Sequence, residues 1–161
     1  MKKLTFPPLF FALPILFLTS FGIISIANAS SSESPKDIVK NCFRDIMQAE
    51  KWNESAYNKY FSKDYIQIAD GKTLNYTQGL EHVKTLKRDY KSIKIVFHEI
   101  LEDGNKVATR HTGHVIKGDD SEVEVDVMAI FEIKDGKIIG CRELTRLVKG
   151  SKADEDIGSR H

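Results

Sequence analysis

The sequence predicts an α+β domain in which helices come first and long strands follow. Three observations carry this. Ile38, Cys42, Ile46 and Ala49 recur at helical spacing, with Val39, Phe43 and Met47 widening the stripe. Val123, Val125, Val127, Ala129, Phe131 and Ile133 alternate with polar or charged neighbours over most of one segment, the period of a half-buried strand. Asp-Gly dipeptides at 70–71, 103–104 and 135–136 punctuate the chain where two-residue turns would join strands.

Each element follows in order. Ser34-Pro35-Lys36-Asp37 is a helix start, with a capping hydroxyl, a proline at the first helical position and a carboxylate facing the free amides. The spacing predicts one helix over 35–50. Asn53-Glu54 opens a second, short helix carrying Ala56, Tyr57, Tyr60 and Phe61. Residues 65–68 read as a short strand, the 70–71 turn returns through 72–74, and Thr77 begins a third helix to about Tyr90 with Leu80, Val83 and Leu86 on its apolar side. Strands then follow at 93–101, 107–116, 122–134 and 137–148. Helices before hairpin-linked strands favour a meandering antiparallel sheet covered by helices on one face. The segment from Gly150 is polar and reads as a flexible tail over 150–161.

The start of the chain reads differently. Lys2 and Lys3 precede an apolar run over 4–27, and Ala27-Asn28-Ala29 is a small-x-small site before a Ser-rich stretch. These are the three parts of a secretory signal peptide, so 1–29 is expected to be removed and 30–149 to form the domain. The destination is then the periplasm or the exterior; if the segment is not cleaved it anchors the chain in a membrane. No membrane span is expected after cleavage.

Removing Lys2 and Lys3 leaves 22 basic residues against 23 acidic ones, which gives no general attraction to nucleic acid or anionic lipid. Two cysteines, Cys42 and Cys141, permit a disulfide in an exported chain; a bridge and two buried thiols stand as alternatives. No Gly-rich phosphate loop, nucleophile elbow, His-Glu-x-x-His helix, CxxC pair or calcium loop is present, so no cofactor and no metal is expected. Arg110, His111 and His114 resemble a cluster only in sequence, because strand alternation turns His111 away from the other two.

The stretches 52–57 (WNESAY), 60–65 (YFSKDY), 103–110 (DGNKVATR) and 129–138 (AIFEIKDGKI) resemble the nuclear-transport-factor-2-like superfamily, in its SnoaL-like and ketosteroid-isomerase-like branches, over about residues 36–148. The resemblance implies a cone, a curved antiparallel sheet wrapped around the N-terminal helices, with a pocket at the open end and a homodimer through the sheet. Met128 and Ile130, apolar on the otherwise polar face, suit such a contact. The isomerase residues do not carry over. Their base position falls at Ala69, one residue from Asp70, and Asp70 is also the first residue of a turn. The oxyanion tyrosine falls at Asp45 and the second donor near Ala129, so steroid isomerisation lacks its donor pair.

The same resemblance places Cys141, Glu143 and Thr145 inward on the last strand, and parity places Thr109 and His111 inward on another. His111 and Glu143 are therefore the candidate proton-transfer or ligand-orienting pair, with Asp70 as a third candidate base. Trp52, Tyr57, Tyr60 and Tyr65, with Thr145, are the candidate ligand-binding set at the pocket mouth. Three functions stay open: a protein binding a small, partly apolar molecule; a cofactor-independent isomerase, cyclase or lyase; and a non-catalytic structural or dimerisation module.

Overall fold

Ser34 caps the first helix, α1 (Pro35–Cys42), its hydroxyl accepting the Asp37 N–H at 3.2 Å. The computed structural model describes residues 33–161, so the leader reading of 1–29 lies outside the described residues. Beyond Cys42 the helix opens into one wide π-type turn over Phe43–Met47, and the chain leaves helical geometry before the expected residue 50. Helix α2 (Glu54–Tyr60) is capped by Asn53, whose side chain accepts from the Ser55 and Ala56 amides. Strand β1 (Phe61–Ala69) follows without a loop, and β2 (Lys72–Asn75) returns from it. Between them Asp70 and Gly71 have φ of 51° and 82°, the paired left-handed residues of a tight hairpin turn. Asn75 and Gln78 form a reciprocal capping box for α3 (Tyr76–Asp89), one residue earlier than Thr77 suggests.

Four long strands complete the chain: β3 (Tyr90–Asp103), β4 (Lys106–Lys117), β5 (Glu122–Lys134) and β6 (Lys137–Lys149). The alternating β5 residues behave as their period predicts: Val123, Val125, Val127, Ala129, Phe131 and Ile133 are all buried against the helices. The opposite face carries cross-strand ion pairs, Arg146 with Asp126 and Lys149 with Glu122 among them.

The sheet itself corrects the expected cone. Its order is β2-β1-β6-β5-β4-β3, with two free edges, so it is open and neither closed nor strongly curled. It is mixed, because β1 pairs with β6 in parallel while every other neighbouring pair is antiparallel. The reason is topological. Helix α3 carries the chain from the β1–β2 hairpin to the far edge, and the four-strand meander that follows brings β6 back alongside β1 in the same direction. Hairpin turns dictate antiparallel neighbours; a helical crossover does not.

The tail also differs from expectation. After a short 3-10 turn at Lys152–Asp154, Asp154, Ile157 and Ser159 are buried. A polar composition concealed one apolar anchor and one carboxylate that both find partners.

Gly79 marks the tightest approach between α3 and the aromatic cluster. A Cβ there would lie 2.8 Å from the Tyr57 hydroxyl and 3.3 Å from the Tyr65 ring. Tyr57 is itself buried, stacked on Phe61 with centroids 4.4 Å apart, and has no free direction in which to retreat. Gly79→Ala gains helix propensity of about 1 kcal/mol but overpacks the core by about 1–3 kcal/mol, so a net loss of up to about 2 kcal/mol is expected by urea unfolding.

Candidate active site

Strands β1, β3, β4, β5 and β6, helices α1 and α3 and the π-type turn line a cavity of about 130 Å³. Its space comes partly from Gly113, an inward β4 position with no side chain, where an added Cβ would meet only the Ile95 side chain at 3.7 Å. Most of the wall is apolar: Phe43, Ile46, Leu86, Val125, Val127 and Phe131. A cavity of about 150 Å³ holds a benzene-sized molecule, so this one is matched to a single ring or an equivalent aliphatic group.

Glu143 is the only carboxylate among the described residues lining this cavity. Gln67 Nε2 donates to its Oε1 at 2.9 Å, and the Cys141 thiol donates to its Oε2 at 3.7 Å. Tyr65 in turn donates to Gln67 Oε1 at 3.4 Å, which fixes which way the amide faces. Burial pushes the Glu143 carboxyl up to about 7, against the pull of the Gln67 and Cys141 donors, and the nearby Asp70 charge adds to the rise. Glu143 is thus close to half ionised near neutral pH, able to accept a proton and to return it.

His111 lines the same cavity but does not form the expected pair. It stands in register with Val127 and Thr145, whereas Glu143 stands one row on, with Ala129 and Thr109. No hydrogen bond joins the two. The His111 Nδ1 lies 3.1 Å from the Thr109 hydroxyl, and its ring meets Phe43 and Phe97 edge-on or tilted at 5.1 and 5.4 Å. Burial, helped by His98, holds it down at about 4, so the ring is neutral. It lines the cavity as a neutral ring, out of hydrogen-bond contact with Glu143.

Asp70 does not line the cavity. Its carboxylate accepts the Thr145 N–H at 2.8 Å and the Thr145 hydroxyl, and its own N–H donates to the Glu143 carbonyl at 3.1 Å. It staples the end of β1 to β6. Of the expected ligand-binding set, Tyr65 and Thr145 line the cavity and the others do not. Tyr57 stacks on Phe61 and meets Tyr76. Trp52 packs against Tyr57 at 5.9 Å, and Tyr60 donates to Asp45 under the Lys59 ammonium. These rings bind one another, which is why aromatic content alone misplaced them. Cys42 and Cys141 are free, buried thiols on the cavity wall, and burial pushes both upward, away from reactive thiolate.

Two features escaped the sequence reading. Gln67 is a polar residue at an inward position between Tyr65 and Ala69, and that parity was its signal. Ile157 and Gly158 of the tail also line the cavity, which nothing in a polar terminus announces.

A mixed sheet, three covering helices and a small, largely apolar cavity with one half-buried carboxylate define a small-molecule pocket on a nuclear-transport-factor-2-like fold. The SnoaL-like domain family matches residues 43–140, and the chain belongs to that family. An uncharacterised protein of Schizosaccharomyces pombe is 33% identical over 100 residues, spanning 62% of this chain and 77% of that one. Among solved structures, AclR of Streptomyces galilaeus, a candidate hydroxylase, superposes with a TM-score of 0.63 at 12% identity, over 81% of this chain and 89% of its own. The candidate polyketide cyclase IdmH of Streptomyces antibioticus gives 0.60 at 12%, over 70% and 91%. An LEH-like epoxide hydrolase of M. tuberculosis gives 0.58 at 21%, over 70% and 82%. At these identities the likeness is one of fold.

The expected periplasmic or secreted destination, or a retained membrane anchor, gains no support from the similar structures or from the described residues. The similar structures are described as enzymes of small-molecule chemistry, and among the described residues no helix is long and apolar enough to cross a membrane. The leader on which that expectation rested lies outside the described residues.

Proposed function

We propose that this chain is a cofactor-independent enzyme that moves a proton on a small, partly apolar molecule, in an isomerase, cyclase or hydrolase-type reaction. The observation that carries the reading is the single Glu143 carboxyl, held by Gln67 at 2.9 Å at one end of a largely apolar cavity. A pure binding site would need no group poised between base and acid near neutrality. Glu143 as carboxylate removes a proton from carbon or water, and as carboxylic acid gives it back to the product. The apolar wall supplies binding and excludes bulk water. Tyr65 and Gln67 hold the carboxyl in place, and Thr145 is held away from it by Asp70. The candidate cyclase and the epoxide hydrolase on the same fold support this class of chemistry without naming a substrate.

The test is deuterium incorporation α to the carbonyl of cyclohexanone in D₂O, followed by NMR. The full chain is expected to exceed the buffer rate, and His111→Gln is expected to retain that excess. Equal rates for the unaltered chain and Glu143→Gln would end the proposal.

A homodimer through the outer sheet face is part of the same reading. Met128 and Leu144, exposed at 63% and 69%, are directly in register, with Ile130 beside them at 49%. Such a patch suits a second copy. Sedimentation is expected to give a dimer that Met128→Lys converts to monomer; a monomer at all concentrations would exclude it.

A further inference from the structure

Residues 151–161 are bolted down at two points with the cavity between them. At the first, Asp154, only 2% exposed, accepts the Lys117 ammonium through both carboxylate oxygens at 2.8 Å, and also the Ser151 N–H and hydroxyl. Burial alone would raise this carboxyl; Lys117 and Ser151 override it and hold it at about 2. At the second, the Arg160 carbonyl pairs with His82 Nδ1, and the Arg160 guanidinium donates to the Tyr90 hydroxyl at 3.0 Å. Ile157 and Gly158 lie between these bolts and form part of the cavity wall. The Gly158 carbonyl accepts from Gln67 Nε2 at 3.3 Å, the same amide nitrogen that holds Glu143.

Gly158 shows how close the fit is. A Cβ there would stand 2.8 Å from Thr145 Cγ2 and 3.3 Å from Glu143 Oε1. The backbone runs against the polar end of the cavity as nearly as a side-chain-free residue allows.

We propose that the C-terminal segment is a strap across the mouth of the cavity, and that Ile157 and Gly158 set substrate size, admitting single-ring molecules and rejecting fused two-ring ones. The proposal rests on the cavity being the substrate site, but it concerns what enters rather than what reacts. Its readout is binding, so it stands or fails separately from any role of Glu143.

Lys117→Met is the informative variant. It leaves the buried Asp154 carboxylate without its cation, held only by the Ser151 N–H and hydroxyl, which is unfavourable if the segment stays in place. Lifting a short terminal strap relieves that cost without unfolding the sheet. Arg160→Ala removes the guanidinium contact of the other bolt, leaving only the backbone carbonyl on His82, and serves as the second variant.

The experiment measures binding of phenol and 2-naphthol by the full chain, with amide hydrogen exchange over residues 151–160. The unaltered chain is expected to protect those amides and to bind phenol at least tenfold more tightly than 2-naphthol. Each variant is expected to lose protection there and to gain at least tenfold in 2-naphthol affinity. Equal binding of both probes by the unaltered chain would overturn the proposal. So would unchanged 2-naphthol affinity in a variant whose strap amides have become unprotected, and so would protection that survives both substitutions.

Discussion

Glu143→Gln is expected to lower turnover by about 10²–10⁴-fold, the usual contribution of a positioned general acid–base group. Shape changes little in this replacement. Glutamine keeps an oxygen that can accept the Gln67 N–H now recorded at 2.9 Å, and it fills the same volume beside Cys141. Only the capacity to take up and release a proton is lost. The effect should therefore fall on kcat, with KM near its original value, because the apolar wall supplies the binding. The pH profile of the unaltered enzyme should rise through about 7 as the carboxyl ionises. His111→Gln should leave that limb in place, since the His111 ring is already neutral above about 4. A loss in Glu143→Gln confined to KM would show that the carboxyl binds and does not react.

Why Glu143 was found and its surroundings were not is a matter of distance along the chain. The β5 alternation marks the inward face of that strand, and the family resemblance carries it across to Cys141, Glu143 and Thr145 on β6, where the register sets Glu143 opposite Ala129. The Asp-Gly pairs were equally legible: Asp70–Gly71 and Asp135–Gly136 adopt the positive φ angles that their composition favours. What failed depended on contacts remote in sequence. The parallel pairing of β1 with β6 follows from the α3 crossover and leaves no local pattern in either strand. Gln67 meets Glu143 only through that pairing, which sets Gln67 beside Cys141 and Ala69 beside Glu143. Trp52, Tyr57 and Tyr60 had the composition of a binding surface, but Trp52 packs on Tyr57, Tyr57 stacks on Phe61 and donates to the Tyr76 carbonyl, and Tyr60 donates to Asp45. Asp154 and Ile157 sit in a polar run whose burial depends on Lys117 and on the cavity rim.

The two titrations in the cavity oppose one another, and stability against pH should reveal it. Burial lowers His111 from 6.5 to about 4. As pH falls through that window the unfolded chain takes up a proton that the folded chain refuses, so stability is lost, by about 3 kcal/mol in full. Burial raises Glu143 from 4.5 to about 7. As pH falls through 7 the folded chain takes up a proton that the unfolded chain does not, so stability is gained. That gain, again about 3 kcal/mol, is fully present below 4.5 and is lost as pH rises through 7. The sum is nearly flat between about pH 4.5 and 6.5. Removing either group exposes the other. Glu143→Gln should lose about 2–3 kcal/mol between pH 6.8 and 4.8 relative to the unaltered chain, and His111→Gln should gain a similar amount over the same interval. His82 is also held down by burial, but it is present in all three chains and cancels from the comparison. Urea unfolding at the two pH values measures both differences. Parallel stability profiles for the three chains would mean that water reaches the Glu143 carboxyl and the His111 ring freely, and the expected rise of the rate through about 7 would then have no origin in Glu143.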